Sequence, residues 1–420
     1  MKIAVIGGGI SGLGSAWILS QKHEVHLFES ENRLGGHAHT VQVQSVQAGK
    51  VPVDTGFLVY NDLTYPHLRS FFKELQVETV ESDMSLAVRS LYQGLEWAGT
   101  NLDTVFAQRR NLLRPRFLQM LADILRFHRE SEENLRQAQQ LGWSLGELLK
   151  RGKYSEAFRK DYLLPIGAAI WSTPEKGMES FPASTFLAFF INHRLLQINE
   201  RPVWRTVKGG SIEYVQKVAA KIPFIHTGVA VSEVQRQSQG VQVRVGGESL
   251  NFDAVVFATH APVTSRILRG QSPLERKVLS AVQTQNNRTI LHQDESFMPE
   301  RKKCWSSWNV LSAPPQEEHE AVSLTYFINK LQPLGTPENY FVTLNPRKEI
   351  HQPLGEFDYA HPQFDQKAIE AQTLLPEIQG QGGVYFAGAW TRYGFHEDGL
   401  LSAVRVAELF GIQPQWWERL

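Results

Sequence analysis

The first thirty residues restrict the fold more than any other stretch. Lys2 to Ile6 is a short apolar run, and Gly7, Gly9 and Gly12 follow it as G-x-G-x-x-G. Leu13 to Ser20 continues with helical spacing, Glu24 to Phe28 is a second β-like run, and Glu29 ends it. A strand, a glycine turn, a helix and a second strand closed by an acid make the unit that binds dinucleotides. Gly7 permits the tight turn, Gly9 lets a pyrophosphate approach the backbone, and Gly12 with Ala16 lets helix and strand pack closely. The helix start, at Ile10 and Ser11, offers unpaired N–H groups to phosphate oxygens. Glu29 stands where an acid meets a ribose hydroxyl.

Composition narrows the partners. A chain of 420 residues suggests two to three domains, and 42% hydrophobic residues suffice for a large core. Lys plus Arg number 43 and Asp plus Glu number 43, which gives no support for nucleic-acid binding. The single Cys304 excludes an intrachain disulfide and a cysteine-based metal cluster, and fits a reducing, cytoplasmic setting. The start, KIAVIGGGISGLGSAWIL, has the outline of a signal peptide, but the glycine spacing explains it better. No stretch approaches the ~18 uncharged apolar residues of a membrane span.

Beyond Glu29 the chain carries Ser30, Arg33, the pair Gly35-Gly36 and His37, then Asp54-Thr55-Gly56-Phe57. A simple nicotinamide site has no need of this extension. It resembles the R-x-G-G and D-x-G elements of FAD enzymes in the amine oxidase and phytoene desaturase superfamily. Trp204 to Ser211 resembles that superfamily's W…GG return to the cofactor domain, Val229 matches the residue whose backbone meets adenine, and Ala387-Gly388, followed by Ala389, matches the late A-G turn. The resemblance implies an α/β fold: a Rossmann-type FAD-binding domain with an inserted α+β substrate domain. It assigns 1–63, 204–284 and 376–420 to the cofactor domain, and 64–203 with 285–375 to the substrate domain. Residues 64 to 200 are expected to be mainly helical. Ile225 to Val234, Val241 to Val245 and Phe252 to Ala258 are expected as a three-stranded meander, and Leu400 to Phe410 as a helix.

GGHAHT, DTGFLVYN, FAQRRNLLRPRF, IWSTP and RPVWRTVKGGS resemble a narrower bacterial group of FAD-dependent oxidoreductases. That group is similar to the N-terminal flavoprotein half of plant cyclopropane fatty-acid synthases. This resemblance implies a fatty-acyl or other hydrophobic substrate, and a peripheral membrane site or a lipid-modifying enzyme as partner. Two departures matter. Ala389 stands where many relatives have an acid, and the strand Asn287 to His292 lacks the lysine that amine oxidases place near flavin N5. Cys304 lies far from the C-terminal position of a covalent flavin link, so FAD is expected to be non-covalent. The competing readings are an amine oxidase making imine and H2O2, and a flavin-bearing partner subunit of a lipid methyltransferase.

The candidates for chemistry follow. A flavin transfers hydride itself, so the protein must position a C–H bond, exclude water and move a proton. His396 and Glu397, before the last helix, are the candidates for proton transfer. Asp398 stands where a helix cap would. Gly399, Leu400 and Leu401 are expected to present backbone N–H groups to the flavin's pyrimidine end. Tyr60, Asn61, Trp171, Trp308, Asn309 and Tyr393 are candidates for the substrate channel, although such residues are more often plain core. No further ligands near His37 and His39 suggest a metal. Arg109, Arg110, Arg114 and Arg116, interleaved with leucines, are either a solvated basic turn or a dock for an anionic headgroup or acyl carrier.

Overall fold

The computed structural model describes residues 1–196, 202–312, 314 and 321–417. The apolar runs IAVI and AVVF are buried on both faces, as the inner strands of a parallel sheet must be. That sheet has five strands in the order Phe224–His226, Glu24–Phe28, Lys2–Ile6, Ala254–Phe257 and Val384–Phe386, every neighbouring pair parallel. It therefore gathers segments from widely separated parts of the chain. The helix Ile10–Ser20 lies between this sheet and the C-terminal helix His396–Leu409. The two helices touch so closely that a Cβ on Gly14 would stand 3.1 Å from Ala403 and Leu400.

The meander differs from expectation. Its strands are Val231–Arg236, Val241–Val245 and Glu248–Phe252, paired antiparallel. Ile225 and Val255 belong instead to strands of the parallel sheet. Each long apolar run is cut by a backbone anchor. Gly228 donates its N–H to Glu31 O at 2.8 Å, and Asp253 donates to Lys2 O at 2.8 Å while accepting from Lys2 N.

The other half is a seven-stranded mixed sheet under a helical layer. The order is Gly355–Pro362, Thr284–His292, Phe341–Leu344, Ser323–Phe327, Trp308–Ser312, Leu86–Ser90 and Leu95–Ala98. Residues 64–200 are thus not wholly helical, because the hairpin Leu86–Ala98 joins this sheet and Thr79–Ser82 pairs with Trp204–Val207. Strands of four or five residues are too short for their period to stand out against helical neighbours. The helical layer includes Pro115–Leu141 and Ala183–Asn192, and a π-helical turn at Arg159–Leu163 precedes Leu164–Trp171. Asp54 ties the halves together. Its carboxylate accepts from Ser211 N, Ser211 Oγ, Thr40 Oγ1 and Gln332 Nε2 at 2.5–2.9 Å. Burial nevertheless pushes its pKa up to about 6.

Candidate active site

One cavity of about 820 Å³ runs from the first glycine turn into the sheet-and-helix half. Its narrow end is a cradle of Gly7, Gly9, Ile10, Ser11, Glu29, Ser30, Gly35 and Gly36. Gly7 has φ +107°, and a Cβ there would come within 2.8 Å of Ala258 O. Gly12 lies behind the wall, where a Cβ would strike Gly7 O, so its task is packing. The Ile10–Ser20 helix has no side-chain cap and no acid in its first turn, leaving its N–H groups open to an anion. Glu29 accepts from Gly8 N at 2.6 Å and Glu31 N at 2.8 Å, and so is fixed at the mouth of the cradle.

The middle of the cavity is lined by His37, Gly56, Phe57, His260, His361, Gly388, Ala389 and His396. His37 packs against His361 and His260 with ring centroids 5.1 and 6.1 Å apart, and its Nε2 is buried without a partner. His396 stacks on Phe57 at 3.8 Å and its Nε2 is 3.2 Å from Tyr214 Oη. Burial disfavours the charged form of every one of these imidazoles. His396 is lowered to about 3, His361 to about 4, and His37 and His260 are also lowered. His193, in the far wall, is likewise held at about 4 by burial.

The orientation of His361 can be read from its partners. Asn345 Nδ2 donates to Asn287 Oδ1 at 2.7 Å, which turns Asn287 Nδ2 toward His361 Nδ1 at 2.9 Å. Nδ1 is then an acceptor, and the ring proton sits on Nε2. His361 is therefore an uncharged N–H donor in the cavity wall. No signal in the sequence marked His193, His260 or His361. His361 enters only because Gly355–Pro362 is an edge strand that was not expected.

The far chamber is apolar and aromatic: Trp97, Tyr162, Phe189, Trp171, Trp308, Tyr326 and Tyr393 stand in its wall. The π-helical turn places Tyr162 there, with its hydroxyl 3.2 Å from His128 Nε2. Burial raises the Tyr326 hydroxyl far beyond the physiological range.

Several expected residues stand elsewhere. Glu397 is not in the wall. Its carboxylate accepts from His67 N at 3.0 Å, Leu68 N at 2.9 Å and His67 Nδ1 at 2.5 Å, capping the helix Pro66–Glu74 from outside that helix. Asp398 does not precede the last helix, which starts at His396. Asp398 accepts from Phe395 N at 3.0 Å, and burial pushes its pKa up to about 7. Gly399, Leu400 and Leu401 are not among the residues of the cavity wall, and Gly399 N donates to Phe395 O at 3.0 Å. A Cβ on Gly399 would approach Ile10 Cγ2 and Ser11 Oγ to 2.8 and 2.9 Å, and Leu400 is core. Tyr60 packs on Tyr65 and Phe72, Asn61 accepts from Leu63 N and Thr64 N in a turn, and Asn309 binds Ser306 and Thr325 backbone. Arg33 donates to Gly36 O at 2.8 Å and pairs with Glu31, bracing the glycine loop. Val229 donates its N–H to Glu29 O at 2.9 Å and is not among the lining residues.

These residues fit a dinucleotide flavin. The cradle has an uncapped helix N-terminus, a carboxylate at the strand end, and at Gly9 open space where a Cβ would stand. Cys304 is buried against Ala87 and Ala98, outside the cavity wall, which suits a non-covalent cofactor.

The profile of the family described as flavin containing amine oxidoreductase matches residues 10–344. The chain is 47% identical over 53 residues to a 4,4'-diapolycopen-4-al dehydrogenase of Metabacillus indicus, a match covering 12% of this chain and 11% of that protein. Its fold is similar to the CLA-producing fatty acid isomerase from P. acnes, with a TM-score of 0.68, 13% identity and 97% of both chains covered. It is also similar to cyclohexylamine oxidase from Brevibacterium oxydans, with a TM-score of 0.70, 15% identity, and 98% and 99% of the two chains covered.

Proposed function

The chain belongs to the flavin containing amine oxidoreductase family, and from that premise we propose that it is an FAD-dependent oxidoreductase acting on a fatty-acyl chain. Desaturation, reduction and double-bond isomerisation are the reactions in view. When bound, the flavin accepts or returns a hydride at N5. The chain's own residues supply binding, orientation and water exclusion. The cradle would hold the pyrophosphate and ribose, and the Phe57–His396 stack and the His37 group wall the middle of the cavity. His361 offers a neutral N–H to an acceptor there.

One observation carries the substrate class: among the described residues the wall holds no carboxylate poised for an ammonium group. Its acids are Glu29, engaged in the cradle, and Asp83, which accepts from Ser85 N, Ser85 Oγ and Ser307 Oγ. A chamber walled mainly by aromatic side chains, with Asp83 already engaged, suits an alkyl chain. The aromatic wall also suits a cation–π contact with an amine, so both substrates belong in one experiment. The FAD-loaded protein is incubated with unsaturated fatty acids or with amines, and products are read by mass spectrometry and H2O2 release. An altered acyl product supports the reading. H2O2 from amines with unchanged acyl chains overturns it. A flavin that changes redox state with neither, in a protein whose loss abolishes a partner methyltransferase's activity, favours the partner-subunit reading.

A further inference from the structure

Among the described residues fourteen large apolar side chains stand exposed, and five of them fall within 102–125: Leu102, Leu112, Leu113, Leu118 and Leu125. Such clustering is not the scatter expected of a soluble surface. Leu113 is 87% exposed and Leu102 76%. Charge in the same segment is one-sided. From Leu102 to Arg129 there are six arginines and two acids, Asp103 and Asp123, the latter buried and paired with Arg126 at 3.0 Å. On the helix Pro115–Leu141 the residues Leu118, Ala122, Leu125 and Arg129 recur every three or four positions on the outer face, while Phe117, Met120 and Phe127 fill the inner one. Some of the positive charge is offset: Arg109 pairs with Asp103, and Arg116 with Asp161 at 2.9 Å.

This surface joins the cavity. Gly99 and Thr100 are in the cavity wall, and Leu102 follows two residues later. Arg110 donates to Gly94 O at 2.6 Å, and Gln108 bonds Gly94 O and Glu96 N, so the arginine turn is fastened to the hairpin that brings Leu86 and Trp97 to the wall.

We propose that the leucine-arginine face of residues 102–129 docks on an anionic phospholipid bilayer and sets the cavity mouth at Gly99–Thr100 against the acyl region. The inference rests on the fatty-acyl reading and names the source of the chain. An acidic carrier protein would engage the arginines but leave the exposed leucines in water. A bilayer interface takes both, burying leucyl groups at the acyl boundary under arginines held among phosphates.

The test is sedimentation of the FAD-loaded protein with vesicles of phosphatidylcholine and phosphatidylglycerol, or of phosphatidylcholine alone, at low and high salt. The expected result is binding to anionic vesicles that weakens with salt. It should fall about tenfold or more in Leu112→Asp/Leu113→Asp, and about fivefold for each of Arg114→Gln and Arg129→Gln. FAD content and melting temperature check that the variants fold. A second measurement uses Leu113→Cys with a polarity-sensitive dye, because Cys304 is buried and does not compete. The dye should shift blue on anionic vesicles. No vesicle binding, or binding indifferent to the leucines, overturns the dock, and turnover of free fatty acids would leave the acyl reading standing. Vesicle binding without acyl turnover separates the other way.

Discussion

Replacing Glu397 by Gln tests whether this carboxylate holds the fold or moves a proton. It is buried and accepts three hydrogen bonds, two of them from the first turn of Pro66–Glu74, a helix with no cap of its own. Hydrogen bonds to a charged group contribute about 1.5–3 kcal/mol each, and loss of a cap costs about 1 kcal/mol. Gln keeps one acceptor and turns an N–H toward groups that already donate. The three bonds are not additive, so a loss of about 3 kcal/mol is expected. With an unfolding entropy of about 2.1 cal/mol/K per residue over a chain of this length, Tm should fall by roughly 3 °C. The assay is thermal unfolding of the FAD-loaded protein by flavin fluorescence and far-UV circular dichroism, with turnover measured well below Tm. FAD binding and turnover should stay within about threefold of the parent. An unchanged Tm together with a hundredfold slower turnover would return Glu397 to the chemistry.

Three further outcomes follow from the same geometry. Asn287→Asp removes the donor facing His361 Nδ1 and forces the ring proton onto that atom. The ¹⁵N spectrum of His361 should switch tautomer, and kcat/KM should fall about tenfold or more with FAD retained. Asp398 has an ordinary pKa of 3.8 raised to about 7 by burial, so the stability it contributes is present below pH 4 and lost as pH rises through 7. Asp398→Asn still accepts from Phe395 N but cannot ionise, so its melting temperature should exceed the parent's at pH 8 and approach it at pH 4; parallel curves refute this. Gly399→Ala forces a methyl against Ile10 and Ser11, and titration should show weaker FAD binding and a lower Tm than Ala403→Gly.

What the sequence disclosed depends on how local each feature is. The cradle was legible because glycine spacing, helix start and Glu29 lie within thirty residues and each has one physical task. The division of labour in FHEDGLL was not, because two of three neighbouring residues have partners in distant segments and the third has a local one. His396 meets Phe57 and Tyr214, Glu397 meets His67 and Leu68, and Asp398 turns back on Phe395. Chain order puts His396 and Glu397 beside the ring and Asp398 at a cap, whereas helical geometry rotates each about 100° from the last, so of the three only His396 lines the cavity. The imidazole group shows the same limit from the other side. His37, His260 and His361 arrive from the glycine loop, the end of an inner strand and an edge strand, and no window of sequence contains two of them. Together they make a middle section that is polar in donors yet uncharged, between an anion cradle and an apolar chamber. That order of environments along one cavity suits a substrate that carries no charge where it meets the flavin. An amine would have to lose its proton before reaching it, and among the described residues the groups there to receive it are neutral imidazoles.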